Sequence, residues 1–307
     1  MDEPTMHETY EGRRLPRPRE EVVDQGLGFD VETLLSRRRV LQILGLGAVS
    51  AGLVACGGSG GSTGTAAAKA KALGEIPDET AGPYPGDGSN GPDVLEQSGI
   101  VRRDVRSSFG AANGVAEGVP MTLELVVADL ANGGAPFEGV AVYVWHCTRE
   151  GGYSMYSPGV EDENFLRGVQ IADADGRVRF RSIFPACYSG RWPHIHFEVY
   201  PDRRSITDAG KAIATSQVAL PRRVCRRVYR QAGYEQSVSN LAQVSLDSDS
   251  VFGDDGGADQ LATVRGNVRK GYRVALAVGV DTATKPAGGE AAAGGGPGGP
   301  PPGFPTP

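Results

Sequence analysis

The sequence is short of several features that would assign it to a common class of protein. Its formal net charge is −6 over 307 residues, which argues against a nucleic-acid partner, because such binding depends on neutralising phosphates. Its four cysteines include no Cys-x-x-Cys pair, so a zinc site built from thiolates is not expected. It has only four histidines and no internal repeat. One basic run has the spacing of a solvated helix face rather than an anion site: Arg222, Arg223, Arg226, Arg227 and Arg230.

No apolar run is long enough to span a membrane comfortably, and the longest, at residues 40–55, fits the hydrophobic region of an export signal. The preceding Ser36-Arg37-Arg38-Arg39-Val40-Leu41 resembles a twin-arginine signal. The run ends in Leu53-Val54-Ala55-Cys56, which resembles a lipobox and implies a lipid on Cys56. The alternative is an ordinary N-terminal anchor helix flanked by arginines. Both interpretations predict an extracytoplasmic protein attached to the membrane.

The composition divides the chain into four parts. Residues 1–56 hold the export signal, and residues 57–74 are rich in Gly, Ser, Thr and Ala, which predicts a flexible tether. Residues 285–307 are dominated by Gly, Pro and Ala and are expected to be disordered. The folded domain is therefore predicted at 75–284.

Three cysteines lie in that domain: Cys147, Cys187 and Cys225. An oxidising compartment would permit one disulfide among them. The sequence does not choose between the three possible pairings.

Within the domain, polar and apolar residues alternate with the period of β-strands. Short strands separated by Gly, Pro and Asp turns predict an all-β fold, a β-sandwich with long active-site loops and few short helices. Only one helix is expected, at 221–231, and Asp173-Ala174-Asp175-Gly176 predicts a hairpin turn rather than a calcium loop, which would need a later glutamate. The predicted strands are 121–127, 140–145, 177–184, 194–200, 212–220 and 272–280.

Two of the four histidines form the motif His194-Ile195-His196. Residues i and i+2 of a strand point to the same face, about 6–7 Å apart, so both imidazoles can converge on one metal ion. Ile195, Phe197 and Val199 would then pack into the core behind them. A bare pair of this kind can equally face solvent or the sheet, so the surrounding sequence has to decide.

That surrounding sequence resembles the intradiol ring-cleavage dioxygenases, the family of catechol 1,2-dioxygenase and protocatechuate 3,4-dioxygenase. The resemblance covers about residues 79–220 and is closest to extracytoplasmic single-domain members. Its most specific elements are a Gly-x-Tyr-Ser motif and an Arg-x-x-His-x-His motif. The matching segments are Glu79–Tyr84, Trp145–Ser154, Phe165–Gly168 and Tyr188–Phe197.

The resemblance implies a non-haem Fe(III) cofactor held by Tyr153, Tyr188, His194 and His196. Such a hard cation favours anionic oxygen donors alongside imidazole. Tyr156 is a nearby competitor for Tyr153, although only Tyr153 has the Gly-Gly-Tyr-Ser setting.

The resemblance also assigns catalytic roles. Tyr188 would leave the metal and accept a substrate proton, Arg191 would stabilise negative charge on the ring, and Gln217 would lie near the substrate. Pocket walls are expected at Pro83, Tyr84 and Arg167.

The implied function is intradiol cleavage of a small catechol-type diol by O2 to a cis,cis-muconate-type product. A cupin-like oxygenase would need a later histidine, and none follows His196. A zinc hydrolase would need a third histidine or an obvious carboxylate ligand. A non-catalytic β-sandwich binding module anchored at the cell surface remains the alternative. The sequence leaves the diol and the oligomeric state open.

Overall fold

The protein, represented by a computed structural model, is described at residues 9–10, 13–14, 73–284 and 286. The twin-arginine pattern, the lipobox with Cys56, and most of the predicted tether and tail lie outside these residues. The chain divides into two compact units, residues 1–71 and 72–307. In the first unit, the described part is an antiparallel pair of two-residue strands, β1 (Thr9–Tyr10) and β2 (Arg13–Arg14).

In its described residues, the second unit contains two β-sheets and two short α-helices. A five-stranded sheet and a four-stranded sheet account for the strands described there, and the α-helices follow the last strand of the smaller sheet. The five strands are β3 (Pro120–Asp129), β4 (Ala135–Pro136), β7 (Arg177–Ile183), β10 (Thr263–Asn267) and β11 (Gly271–Val280). The four strands are β5 (Ala141–Trp145), β6 (Arg167–Ile171), β8 (His194–Tyr200) and β9 (Ala214–Ala219). The helices are α1 (Arg222–Val228) and α2 (Glu235–Ala242).

The strand order places β8 in the interior of its sheet and β3 in the interior of the other. The smaller sheet runs β6-β5-β8-β9 with every pair antiparallel. In the larger sheet, β3 pairs with β4 and β7 in antiparallel fashion and with β11 in parallel fashion. Strand β10 extends this sheet beyond β11.

Apolar side chains on the facing sides of the two sheets form the main core. Side chains alternate between the two faces along β3, so that Leu123, Leu125 and Val127 are buried while the residues between them are partly exposed. Phe180 of β7 and Phe197 of β8 join the same cluster. The main core thus requires one face of each sheet, as in other sandwiches.

The smaller sheet is also covered on its second face. A separate apolar cluster joins Tyr143 and Trp145 of β5 to Tyr153 and Ala81, which lie in loops. Every residue of β8 is consequently buried. This covered second face is where the polar residues of β8 lie.

The all-β sandwich predicted from the sequence is confirmed. The strand predicted at 194–200 has the expected bounds. The helix predicted at 221–231 is shorter, and helix α2 was missed, because its N-cap residue Tyr234 makes no side-chain capping bond that would mark its start. No helix in the described part of the chain is long and apolar enough to cross a membrane.

Three local predictions need correction. Cys147, Cys187 and Cys225 are buried free thiols, because each sulfur contacts a different backbone carbonyl. The Asp173–Gly176 segment forms a turn, but it connects β6 to β7, which belong to different sheets, rather than closing a hairpin.

The basic run is the third correction, since it is not a uniformly solvated face. Arg226, Arg227 and Arg230 are exposed. Arg222 instead lies over the ring of Trp192 and donates to the carbonyl oxygens of Leu241 and Val244.

Candidate metal centre

The two histidines of β8 lie side by side on the covered face of the smaller sheet. Their Nε2 atoms are 3.0 Å apart, and both side chains are buried. Trp145 pairs directly with His196 across β5 and β8, and the two rings stack with centroids 4.9 Å apart and planes 8° from parallel. Strand register therefore fixes the plane of the His196 imidazole.

The protonation of His194 follows from its hydrogen bonds. Its Nδ1 lies 2.5 Å from the carbonyl oxygen of Trp192, which can only accept, so Nδ1 carries the proton and Nε2 carries the lone pair. Burial and the charge of Arg191 lower the pKa of His194 to about 3. Burial and His194 lower the pKa of His196 well below its usual value. Both imidazoles are therefore neutral, the form that binds a metal.

Two phenol groups reach the same point from the loops. The hydroxyl of Tyr188 lies 3.1 Å from Nε2 of His194, and the hydroxyl of Tyr153 lies 3.5 Å from that of Tyr188. Burial raises the pKa of Tyr188 to about 12 and that of Tyr153 well above its usual value. Both phenols therefore keep their protons at neutral pH unless a cation takes the proton's place.

The loop that carries Tyr153 is fixed by its own side chains. Thr148 accepts a hydrogen bond from the backbone N–H of Gly152 at 3.2 Å, and the Tyr153 N–H donates to the Ser157 hydroxyl at 2.9 Å. Gly151 has φ = 101°, a conformation that favours glycine. The Gly-Gly-Tyr-Ser motif thus reflects a tight turn at the end of β5.

Helix α2 holds the segment before Tyr188. The Cys187 N–H donates to the Ser237 hydroxyl at 3.0 Å, and the side-chain amide of Asn240 donates to the Cys187 carbonyl at 2.8 Å. The helix that sequence patterns did not reveal therefore positions one of the two phenols.

The four side chains fit a hard, highly charged cation. Two neutral imidazoles and two phenols converge, and the described residues contain no cluster of three or more His, Cys, Asp and Glu side chains that could hold a metal instead. On losing their protons, the two phenols would supply anionic oxygen donors, which a trivalent cation prefers. A third histidine, His146, lies elsewhere, because its Nε2 is bonded to the Ser182 hydroxyl at 2.7 Å.

Arg191 and Gln217 lie together beside this cluster. Gln217 pairs with His196 across β8 and β9, and its side-chain oxygen accepts a hydrogen bond of 2.7 Å from Nη2 of Arg191. The amide end of Gln217 donates to the Thr80 carbonyl at 3.0 Å. The guanidinium charge of Arg191 opposes the effect of burial on the pKa of Tyr188. The structure thus brings all six predicted site residues into one region.

Tyr156 points away from the histidine pair. Its hydroxyl accepts from the Gly86 N–H and donates to the Asn90 side chain, both at 2.8 Å. Its ring contacts Tyr84, which in turn lies 5.0 Å from the Tyr153 ring. Tyr84 therefore lies between the two tyrosine rings, and its role as a pocket wall stays a prediction.

Arg167 does not fit the expectation of a pocket wall. Only 1% of its surface is exposed, and its guanidinium donates to the carbonyl oxygens of Tyr84, Pro85 and Ser154. Arg167 therefore holds the loops of Tyr84–Pro85 and Ser154 together instead of facing a ligand.

Sequence reasoning missed two residues beside the cluster. Asp249 binds Arg191 from 58 residues downstream, and no local pattern marks it. Gly82 approaches His196 so closely that an added Cβ would lie 3.3 Å from its ring. The glycine in Glu79–Tyr84 was a usable signal for that approach.

A cavity of about 480 Å3 lies away from the cluster, with Arg106, Glu117 and Arg149 among its lining residues. Arg149 pairs there with Glu117 at 2.8 Å. None of the four converging side chains lines this cavity, so its size does not bear on the candidate metal centre.

Comparison with known proteins finds several dioxygenases to which the chain is similar. A family model described as "Dioxygenase" matches residues 90–197, which include all four converging side chains. The chain is 42% identical over 55 residues to a chlorocatechol 1,2-dioxygenase from Rhodococcus opacus, covering 18% of this chain and 21% of that protein. It is 39% identical over 72 residues to a catechol 1,2-dioxygenase from Pseudomonas sp. strain EST1001, covering 24% and 23%. The matches thus span about a fifth of these relatives' length.

A solved structure shares the fold over a large part of the chain. An intradiol ring-cleavage dioxygenase from Tetranychus urticae superposes with a TM-score of 0.55 at 21% identity, covering 69% of this chain and 97% of that one. At this identity the superposition demonstrates a shared fold.

Proposed function

Because this chain belongs to the intradiol ring-cleavage dioxygenase family, we propose that it uses non-haem Fe(III) and O2 to cleave a catechol-type diol between its hydroxyl-bearing carbons, giving a cis,cis-muconate-type product. One observation carries the proposal: two imidazole nitrogens and two phenol oxygens from separate parts of the chain lie in a continuous series of contacts of 3.0–3.5 Å.

The proposed iron ligands are Tyr153, Tyr188, His194 and His196. The imidazoles are neutral and available, while the phenols must lose their protons when the metal binds. The charge of the cation offsets the cost of buried phenolates. Bound there, ferric iron would bind the deprotonated diol and make its ring reactive toward O2.

The two phenols are suited to different roles. Tyr153 is 1% exposed and is enclosed by Tyr84 and the fixed turn. Tyr188 is only partly buried and lies on a segment that runs along the surface at Ser189 and Gly190. Tyr188 is therefore the phenol that can move aside when a diol arrives, and its Oη accepts one of the diol's hydroxyl protons.

Arg191 supplies positive charge beside these groups. Its side chain is largely buried, where charge interactions are stronger than in water. Since it is fixed before the substrate binds, it can stabilise negative charge on the ring without reorganising. Gln217 keeps the guanidinium in place through its side-chain oxygen.

The experiment is to load the purified protein with ferric iron and record its visible spectrum. Phenolate-to-iron(III) charge transfer should colour the protein red-brown, the band should shift on addition of catechol, and a muconate should accumulate under O2. A protein that remains colourless at full iron loading would refute the ligand set.

Two adjacent tyrosines provide a matched pair of variants. Tyr153→Phe should bleach the colour and abolish ring opening, whereas Tyr156→Phe, which removes the same group three residues away, should do neither. Bleaching by Tyr156→Phe alone would mean that the phenols are wrongly assigned. Normal colour with no product from any catechol would instead favour the alternative, a surface-anchored binding module.

We also propose that the protein is exported by the twin-arginine route and anchored through a lipid on Cys56, on the basis of the motifs at residues 36–41 and 53–56. Cys56→Ala should move the protein from the membrane fraction to the soluble extracytoplasmic fraction. Replacing Arg37 and Arg38 with lysine should retain it in the cytoplasm.

A further inference from the structure

Asp249 is a buried carboxylate in the loop after α2, outside every motif that marks the metal centre. Its side chain has no exposed surface, and it lies 58 residues downstream of Arg191. It also lies outside the family match at residues 90–197.

Each oxygen of this carboxylate accepts two hydrogen bonds. Oδ2 accepts from Nε of Arg191 at 3.0 Å and from the backbone N–H of Trp192 at 2.5 Å. Oδ1 accepts from the backbone N–H groups of Val251 at 2.8 Å and Phe252 at 3.1 Å. All four partners are donors, and a carboxylate is the only side-chain group of this size that can accept from all of them.

The first contact orients the guanidinium of Arg191. Asp249 holds Nε, and Gln217 holds Nη2 at 2.7 Å. Because the guanidinium is planar, two fixed nitrogens fix the whole group. The remaining donors are therefore directed before any ligand binds.

The second contact reaches one of the histidines through the backbone. Trp192 donates its N–H to Asp249 and offers its carbonyl to Nδ1 of His194 at 2.5 Å. That carbonyl sets the tautomer and the ring orientation of His194, the kind of outer contact on which metal-binding histidines depend. One carboxylate therefore supports two site residues.

We propose that Asp249 is a positioning residue of the ring-opening reaction, which holds the guanidinium of Arg191 and the imidazole of His194 in their working orientations. The inference deepens the proposed function and rests on it. Asp249 touches neither a diol nor a metal, and it acts only through Arg191 and Trp192.

Asp249→Asn tests this without changing side-chain size. An amide has one acceptor oxygen, so in either orientation its NH2 group opposes two N–H donors. We expect the variant to bind iron at the wild-type ratio, to retain its colour, and to lose kcat about 30-fold or more with KM for catechol changed less than about threefold. The charge-transfer band should also respond differently to catechol.

Val278→Ala is the control for lost stability. Val278 is buried in β11 and belongs to the main core, apart from the converging side chains. The Val278→Ala substitution should lower the unfolding temperature without altering kcat or the charge-transfer band. An Asp249→Asn enzyme with the same kinetics as Val278→Ala would overturn the proposal.

A double-mutant cycle decides whether Asp249 acts through the arginine. In an Arg191→Gln background, Asp249→Asn should cost far less than in the wild type, because the group that it positions is already absent. Equal costs in both backgrounds would overturn the proposal.

A measurement on the iron-free protein separates this inference from the proposed function. The Nδ1–H proton of His194 and the Nε–H proton of Arg191 should exchange slowly in the wild type by NMR and rapidly in Asp249→Asn. Unchanged exchange would overturn the positioning role even in an active enzyme. A wild type that opens no catechol would refute the proposed function, and the exchange experiment would still report on the two contacts.

Discussion

Strands β7 and β8 have the same alternation of polar and apolar residues, but their polar sides lie in opposite surroundings. Arg177, Arg179 and Arg181 of β7 have side-chain exposures of 37%, 44% and 60%. The corresponding residues of β8, His194, His196 and Glu198, are at most 3% exposed. The difference arises outside the strands, because loop residues of the second apolar cluster, among them Ala81 and Tyr153, cover the second face of the smaller sheet.

The comparison explains why only one of the two faces suits a metal. On β7, the charged side chains are hydrated, and Arg177 and Arg179 pair with Glu124. On β8, the polar side chains have lost water and retain only partners that the fold supplies. Buried polar groups without such partners are costly, and the Nδ1 atom of His196 has none among the described residues. Burial there produces neutral imidazoles, which a hydrated face would not ensure.

The largest expected effect separates the polar sides of the two strands. His196→Ala should lose iron and reduce ring opening by more than about 1,000-fold, or about 4 kcal/mol of transition-state stabilisation. Metal analysis and kcat/KM for catechol measure both effects. Full iron binding by this variant would show that the covered face is not the metal site.

The next effect concerns the apolar side of β8. Phe197→Ala should reduce the free energy of unfolding by about 3–5 kcal/mol, because Phe197 is fully buried in the main core. Iron should still bind below the unfolding temperature. Urea unfolding at fixed iron content measures this, and a cost as small as that of a surface substitution would contradict the assignment of this side to the core.

A pH experiment compares Glu198, on the covered face of the smaller sheet, with Glu124, on the hydrated face of the larger sheet. Burial raises the pKa of Glu198 from 4.5 to about 8, so its contribution to stability is fully present below pH 4.5 and is lost as the pH rises through 8. The iron-free protein should therefore lose stability over this window, and Glu198→Gln should remove that part of the slope.

Glu124 on β3 is the matched carboxyl, and its pKa is shifted in the opposite direction. A hydrogen bond from Arg179 lowers its pKa, so its contribution is present above the usual pKa and is lost as the pH falls through the lowered value. Glu124→Gln should flatten the acidic end of the curve and leave the range from pH 5 to 8 unchanged. If both variants changed the same range, the contrast between the faces would fail.

The smallest effect is expected on the hydrated side. Arg179→Gln removes a half-exposed ion pair with Glu124, and such pairs contribute little. The unfolding temperature should change by no more than about 2 °C, with iron content and kcat unchanged. A loss of iron would mean that the two faces are coupled.

The alternation in 194–200 was enough to predict that both histidines share a face and that Ile195 and Phe197 enter the core. It could not distinguish hydrated from covered polar residues, since the same pattern occurs at 177–183. The cover comes from loops near residues 81–101 and 147–156, whose packing depends on contacts far apart in the sequence.

The same limit explains what was missed around the candidate metal centre. The bond between Asp249 and Arg191 joins residues 58 positions apart, and helix α2 begins without a capping side chain. Gln217 was predicted only from the family resemblance, and its position opposite His196 depends on the β8–β9 register. Motifs that are local in sequence were predictable, and supports contributed from a distance were not.

The parallel pairing of β3 with β11 has a consequence for how the domain forms. Met121 pairs with Tyr272 and Asp129 with Val280, so the interior strand of the larger sheet obtains one of its neighbours about 150 residues later along the chain. Nearly the whole domain must be synthesised before that neighbour is available. Pairing over such separations is also slow. We expect nascent chains that end before Gly271 to remain sensitive to protease, and the complete domain to become resistant in one late step.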